Sequence, residues 1–361
     1  MRKVVQAIVG LAISGVALWL TLRGRDLGAI WEAIRGADYR WLVPYFLILG
    51  CIHLARTWRW GILLEPVAKV PFAKLNAVSA VGFMALMILP FRLGEFARPY
   101  LIAERPRLRV SATLSSVVAE RIADGLFMAG LLVLTLLAVP EGTPGLGFLR
   151  TGGVVVLLVF AALLVFLVGA YRNRALAVRL FHRVIDPVSP RMAERVSAML
   201  DAFIHGLRVV PSRRKLALFF LLTAAYWGMN GWGMQVLARG FDIRLTLLES
   251  FTVLGVLVVG VMIPAGPGMV GTFQAAVTLG LSLFLPRAVL DARGLAYANV
   301  LWAAQLAMQT ALGTFFLFSR HIRLAKIFAA PREVEEELEE EDAEYHPGGG
   351  AADDHRGKGP R

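Results

Sequence analysis

LNAVSAVGFMALMILPFRLGEFAR, residues 75–98, is the stretch on which the fold turns. Its first sixteen residues, 75–90, are apolar apart from Asn76 and Ser79, yet fall short of the roughly 20 residues that a helix needs to cross a bilayer. Pro90 removes a backbone donor and Gly94 loosens the chain. Arg92, Glu95 and Arg98 then follow at intervals of three, on one side of any helix they form. An apolar run that ends in a helix break and charge turns back more readily than it crosses. We read 75–90 as a re-entrant segment, the alternative being a true crossing answered by residues 110–121.

The rest of the chain supplies the membrane that such a segment requires. Of 361 residues, 57% are hydrophobic and 18% charged, which excludes a water-soluble enzyme. Eight further apolar runs approach spanning length: 4–22, 41–55, 122–140, 152–170, 216–237, 245–263, 268–285 and 295–318. The first follows Arg2 and Lys3, lacks a small-x-small cleavage site before Arg23, and reads as a retained anchor. The expected fold is an all-α integral membrane protein of about eight transmembrane helices with re-entrant or broken helices, over residues 1–328.

Orientation follows from Lys and Arg in the connections. With the N-terminus inside and 75–90 re-entrant, the cytoplasmic segments carry 24 of them and the outer loops 9. The expected location is the plasma membrane, with both termini cytoplasmic. Residues 171–215 mix apolar and arginine positions at helical spacing and read as amphipathic helices at the headgroup level. The tail 329–361 is acidic, then Gly-rich, and is expected to be disordered. Basic residues in short clusters between apolar runs do not make a nucleic-acid surface. The single cysteine, Cys51, lies in an apolar run and forms neither a disulfide nor a thiolate metal site within one chain.

Ionisable groups near membrane depth are expensive, by about 2.5–3.5 kcal/mol each, and so are paired or functional. Arg56 and Arg59 lie three apart beside Trp58 and Trp60, a pattern that also fits an interface anchor. Arg92, Glu95 and Arg98 run off the re-entrant segment, and arginine forks suit phosphate. Glu120, Arg121 and Asp124 sit at the mouth of a span; the two acids share a face and are read as salt-bridge partners of Arg92 or Arg98, with acid–base work or cation binding as alternatives. Late in the chain, Pro264, Gly266, Pro267, Gly268 and Gly271 make a second helix break about 174 residues after the first, with matching Leu-Pro or Ile-Pro, Gly and Phe positions. Paired interruptions in two halves point to a transporter's substrate site and leave open an inverted repeat.

These residues carry a family resemblance. Arg56, Arg59-Trp60 and Leu63-Leu64, then Leu89-Pro90, Arg92, Gly94-Glu95 and Arg98, then Glu120-Arg121 and Asp124, and finally Ile263-Pro264, Pro267-Gly268 and Gly271, resemble the lysylphosphatidylglycerol synthase transmembrane, or flippase-like, family. The resemblance extends over residues 1 to about 325 and implies an integral membrane protein of about eight spans. In bacterial multiple peptide resistance proteins the corresponding portion moves an aminoacylated phospholipid between leaflets, which implies lipid translocation here. No soluble aminoacyl-transferase domain follows the membrane body, so lysyl-lipid synthesis is not expected of this chain.

The expected function is therefore translocation of an anionic or aminoacylated phospholipid or lipid-linked headgroup. Arg92, Arg98 and Arg121 would bind phosphate, Arg56 and Arg59 would form a cytoplasmic access point, and Glu95, Glu120 and Asp124 would be counter-charges. Residues 264–271 would supply backbone amides and a hinge. No cofactor, metal or nucleotide motif is expected, and a homo-oligomer stays open. The alternative is a membrane glycosyltransferase using a polyprenyl-phosphate sugar donor, with Glu120 and Asp124, or Asp26, Glu32 and Asp38, as catalytic acids.

Overall fold

The computed structural model describes residues 2–103, 108–173, 183, 212–263, 265–319, and 329, 330, 332–334, 336, 337 and 340. The protein is an all-α integral membrane protein, with no strand among the described residues. Six helices are long: α1 (Arg2–Leu22), α3 (Leu42–Leu64), α6 (Val110–Leu137), α7 (Leu146–Arg172), α8 (Arg213–Ala238) and α11 (Leu295–Ser319). At about 1.5 Å per residue each exceeds the ~30 Å hydrocarbon thickness. Tyr39–Leu64, Leu146–Ala170 and Arg287–Ser319 are also apolar throughout their central windows. Between α1 and α3 lies α2 (Leu27–Arg35), capped by Asp26, whose carboxylate accepts from Gly28 N and Ala29 N.

Contacts at each extremity define two ends of the bundle. At the first, Lys215 Nζ meets Glu65 Oε1 at 2.6 Å, and Leu64 packs with Leu75, Ile102 and Leu108. At the second, Arg25 pairs with Asp291 at 3.2 Å and Asp38 N donates to Gly240 O at 2.8 Å.

The quoted segment forms a hairpin that starts and finishes at the first end. Helix α4 (Phe72–Ile88) has 17 residues, about 25 Å. Leu89 is extended, Pro90–Phe96 forms a tight 3-10 turn, and α5 (Ala97–Ile102) continues from it. The return pass lies directly on α4: a Cβ on Gly94 would sit 2.2 Å from Leu86 N, and one on Gly82 2.2 Å from Arg98 Cγ. Ile102 closes the hairpin in one apolar cluster with Leu75 and Val78. The segment is thus re-entrant.

A second hairpin enters from the opposite end, and here the sequence reading is corrected. Runs 245–263 and 268–285, counted as two crossings, are α9 (Leu247–Gly260, 14 residues) and α10 (Thr272–Leu281, 10 residues). They lie antiparallel and in contact. A Cβ on Gly260 would be 2.4 Å from Ala276 Cβ, and one on Gly280 2.9 Å from Val253 Cα. Helix α9 begins at a capping box between Thr246 and Glu249, close to the second end, where Gln235 Nε2 donates to Leu245 O at 2.8 Å. Leu281, at the close of α10, packs with Leu290 near that same end. A buried hairpin has the same apolar composition as two spans, so hydropathy alone does not separate them. Its helices are sealed by protein, with Val253, Val277 and Leu281 fully buried, whereas Met262, Ile263 and Pro267 of the break between them are exposed.

The two tips meet partway along the bundle. Arg92 Nη1, on the first tip, donates to Val261 O on the second at 3.1 Å. Ser14 Oγ of α1 accepts from Gly266 N at 2.9 Å, and Trp302 Nε1 of α11 donates to Gly268 O at 2.7 Å. Two hairpins entering from opposite ends and touching at their tips are the inverted arrangement that the spaced helix breaks left open.

The tail also differs from expectation at its start. Residues 329, 330, 332–334, 336, 337 and 340 are helical, and Val334 is buried against Val110, Phe96 and Tyr100. Ala330 and Val334, four apart, give the glutamate-rich helix an apolar edge to bury. Most of the 171–215 connection and all of 341–361 lie outside the described residues.

Candidate functional site

Helix α6 places Glu120 and Asp124 one turn apart, facing α3, and Arg59 comes from α3 to meet them. Its Nη2 lies 2.7 Å from Glu120 Oε1 and 2.9 Å from Asp124 Oδ2, while Nη1 takes Asp124 Oδ1 and, at 3.3 Å, Thr223 Oγ1. Arg98, from α5, donates through Nη2 to Glu120 Oε2 at 2.6 Å. Trp227 Nε1 of α8 donates to Asp124 Oδ1 at 3.1 Å. Arg59 and Glu120 are 0% exposed and Arg98 is 1% exposed. Charges this deep persist only when paired and hydrogen-bonded, and the network ties three helices, α3, α5 and α8, to one pair of carboxylates on α6. The guanidinium of Arg98 also lies 4.8 Å from the ring centroids of both Trp60 and Phe83, a cation–π sandwich made possible by the missing side chain of Gly82.

Around this buried core lies a half-exposed layer. Arg121 approaches Glu120 at 3.2 Å, Asp124 at 3.5 Å and Glu95 at 3.9 Å. Arg92 Nη2 holds Glu95 Oε1 at 3.0 Å. Arg92, Glu95 and Arg121 are 26%, 20% and 28% exposed at their side chains, so the edge of the network, at the first hairpin tip, is open where its centre is closed. Arg92 has φ 57°, a left-handed conformation that costs a residue with a Cβ of order 1 kcal/mol and marks functional sites. Arg56 stacks 3.4 Å above the Phe83 ring and makes no ion pair among the described residues.

The balance of the site is the informative quantity. Among the described residues, Arg56, Arg59, Arg92, Arg98 and Arg121 face only Glu95, Glu120 and Asp124, which leaves two positive charges in excess there. Donors are in excess too: Arg56 Nε, Arg59 Nε, Arg98 Nη1 and Arg121 Nε are buried without an acceptor. A group offering several acceptors and negative charge satisfies both deficits at once.

The structure thus brings together Arg56, Arg59, Arg92, Glu95, Arg98, Glu120, Arg121 and Asp124. It assigns them differently from the sequence reading in one respect: Arg59 and Arg98 are spent in the buried core, so Arg59 is not part of an access point, and Arg56, Arg92 and Arg121 remain available. The second break contributes less than expected. Gly266 N and Gly271 N are bound to Ser14 Oγ and Gln274 Oε1, and Met269 N, after Pro267 and Gly268, is bound to Gly266 O. Its contribution to the cluster is the carbonyl of Val261 instead. Pro264 lies outside the described residues. Of the acids in the enzyme alternative, Glu120 and Asp124 are bound by arginines, whereas Asp26 and Asp38 cap exposed helix starts and Glu32 is exposed.

Sequence reasoning missed Thr223, Tyr226 and Trp227 on α8, which close the cluster from a helix distant in sequence. It also missed His53, Thr57, Asn76 and Ser79 where α3 meets α4; His53 Nε2 and Asn76 Oδ1 are 2.9 Å apart. The i, i+3, i+4 spacing of His53, Arg56, Thr57 and Trp60 was the available signal.

An apolar cavity of about 330 Å³ lies beside the second tip, lined by Ala17, Leu132, Phe148, Gly152, Ile263 and Ala276 among others. Gly260 and Ile263 of its wall flank Val261, the acceptor of Arg92.

Comparison with known proteins agrees with this architecture. Residues 7–313 match the family described as lysylphosphatidylglycerol synthase TM region. A UPF0104 membrane protein of Archaeoglobus fulgidus is 21% identical over 298 residues, covering 78% of this chain and 88% of the relative.

Proposed function

Because the chain belongs to the lysylphosphatidylglycerol synthase transmembrane family, we propose that it moves a phosphate-bearing lipid headgroup between leaflets, past the meeting point of its two hairpin tips. One observation carries the reading: a cluster at the tip of a re-entrant hairpin holds two uncompensated positive charges and buried donors without acceptors. Arg92, Arg121 and Arg56 take the phosphate oxygens, and Glu95 holds Arg92 and Arg121 oriented while the site is empty. The buried Arg59–Glu120–Asp124–Arg98 network is the rigid floor. Opposed re-entrant tips provide the moving parts: the bonds that hold them, Arg92 Nη1 to Val261 O, Gly266 N to Ser14 Oγ and Trp302 Nε1 to Gly268 O, are few and break and re-form as a headgroup passes. Hydrocarbon occupies the apolar cavity beside the second tip. The protein lies in the plasma membrane with both termini in the cytoplasm, as the excess of Lys and Arg on that side supports.

The test is dithionite quenching of a fluorescent phospholipid in vesicles reconstituted with the full chain. The expected result is protein-dependent loss of the protected inner-leaflet signal; protection identical to protein-free vesicles contradicts the proposal. Arg92→Gly separates site from fold, since glycine relieves the left-handed backbone while removing the guanidinium. Loss of one charged hydrogen bond to the lipid, about 1.5–3 kcal/mol, should slow movement by about tenfold or more, with the melting temperature little changed, because relief of the left-handed backbone offsets the lost bonds to Val261 O and Glu95. Glu95→Ala should likewise abolish movement, because Arg92 and Arg121 lose their common anchor. Gly152→Phe tests the cavity. A Cβ there meets nothing within 4 Å, so the ring fills space rather than forcing helices apart, and slower movement with an unchanged melting temperature is expected.

A further inference from the structure

All three carboxylates of the cluster are committed. Glu120 is shared by Arg59, Arg98 and Arg121; Asp124 by Arg59, Arg121 and Trp227; Glu95 by Arg92 and Arg121. Among the described residues of the cluster, an incoming ammonium therefore finds no acid without a guanidinium already on it. What remains unpaired among the described residues of the cluster carries no negative charge. Buried without partners are the donors Arg56 Nε, Arg98 Nη1 and Arg121 Nε, the acceptor His53 Nδ1 of a ring whose Nε2 faces Asn76 Oδ1, and the hydroxyls of Thr57 and Ser79, which both donate and accept, on the facing sides of α3 and α4. Thr57 and Ser79 are 0% exposed and His53 5%, so bulk water does not satisfy them. His53 stands edge-on to Phe83 at 6.2 Å, the ring on whose face Arg56 stacks, which places this neutral polar group beside the surplus cation. The unpaired set accepts an anion and neutral hydroxyl groups, and the surplus positive charge repels a cation.

Resting on the lipid reading above, we infer that the site selects a headgroup bearing phosphate without an ammonium, with hydroxyls where it extends beyond the phosphate, and rejects an aminoacylated headgroup. An aminoacyl group would set an ammonium against Arg56, Arg92 and Arg121 with no carboxylate free to neutralise it. The geometry thus separates two substrate classes that the family membership leaves together.

The experiment is binding of the purified full chain in nanodiscs, by native mass spectrometry, with phosphatidylglycerol, lysyl-phosphatidylglycerol and inorganic phosphate as separate probes. Phosphatidylglycerol is expected to bind at least about tenfold tighter than its lysyl ester, since like-charge contact is costly at a desolvated site. Arg56→Gln, which reduces the surplus, should narrow that ratio, and Glu95→Gln, which enlarges it, should widen it. Equal or tighter binding of the lysyl lipid overturns the selectivity while leaving lipid movement standing. Binding of neither lipid overturns the lipid reading itself, and inorganic phosphate binding as tightly as phosphatidylglycerol assigns the site to the free anion and overturns both. Should Arg56→Gln misfold, Glu95→Gln still decides the direction of the effect.

Discussion

Arg59→Ala is expected to destabilise the protein by about 3–5 kcal/mol, the loss that follows when one partner of a buried ion pair is removed. Arg59 is wholly buried and binds both carboxylates of α6. Its guanidinium also lies 4.9 Å from the Tyr226 ring and 5.5 Å from Phe219, so truncation removes contacts from α3 to α6 and α8 together. Asp124 would keep Trp227 and the longer contact to Arg121 at 3.5 Å. Arg59→Lys should recover only part of the loss, because an ammonium cannot reproduce the fork that spans Asp124. The Arg59→Met, Asp124→Leu double variant should be less destabilised than either single one, since it removes charge from both sides. Thermal unfolding of the purified variants measures this order, and an Arg59→Ala protein that melts with wild type would show that the cluster is not the floor of the fold.

Gly94→Ala should be nearly as damaging for a different reason. The added carbon would lie 2.2 Å from Leu86 N and 2.3 Å from Ala85 C, and backbone on both sides cannot swing away as a side chain can. The return pass of the first hairpin must lift off α4, carrying Arg92 and Glu95 with it. A cost of about 3 kcal/mol is expected, the upper part of the usual overpacking range, with loss of lipid movement. Gly130→Ala, on α6 with nothing within 4 Å, is the control and should be neutral or slightly stabilising. Melting temperatures and vesicle assays of the pair separate crowding at the hairpin from a general intolerance of alanine.

Much of this was legible in the sequence because it depends on local rules. A sixteen-residue apolar run closed by proline and followed by charge announces a turn within the membrane, and the balance of Lys and Arg works only if that run returns to its own side. The second hairpin was not legible, since 245–263 is long enough to span and only packing shows Gly260 seated on Ala276. Spacing put Arg56 and Arg59 on one helical face. It could not show that Arg59 is sealed against acids 61 and 65 residues away while Arg56 lies on an aromatic ring. The start of the tail was misread because counting its glutamates hid the apolar pair Ala330 and Val334. Pairing partners, and hence which arginines stay available, are properties of the assembled helices.

The proposed lipid site requires a hydrated, anion-accepting pocket between the two hairpin tips. The direct measurement is the reaction of a single cysteine at Glu95→Cys, in a Cys51→Ser background, with a membrane-impermeant thiol reagent, with and without a water-soluble short-chain phosphatidylglycerol. This variant keeps all five arginines. Labelling from at least one side of the membrane, and slower labelling when the lipid is present, are expected. A cysteine that reacts from neither side, or at a rate indifferent to the lipid, would contradict the proposed site.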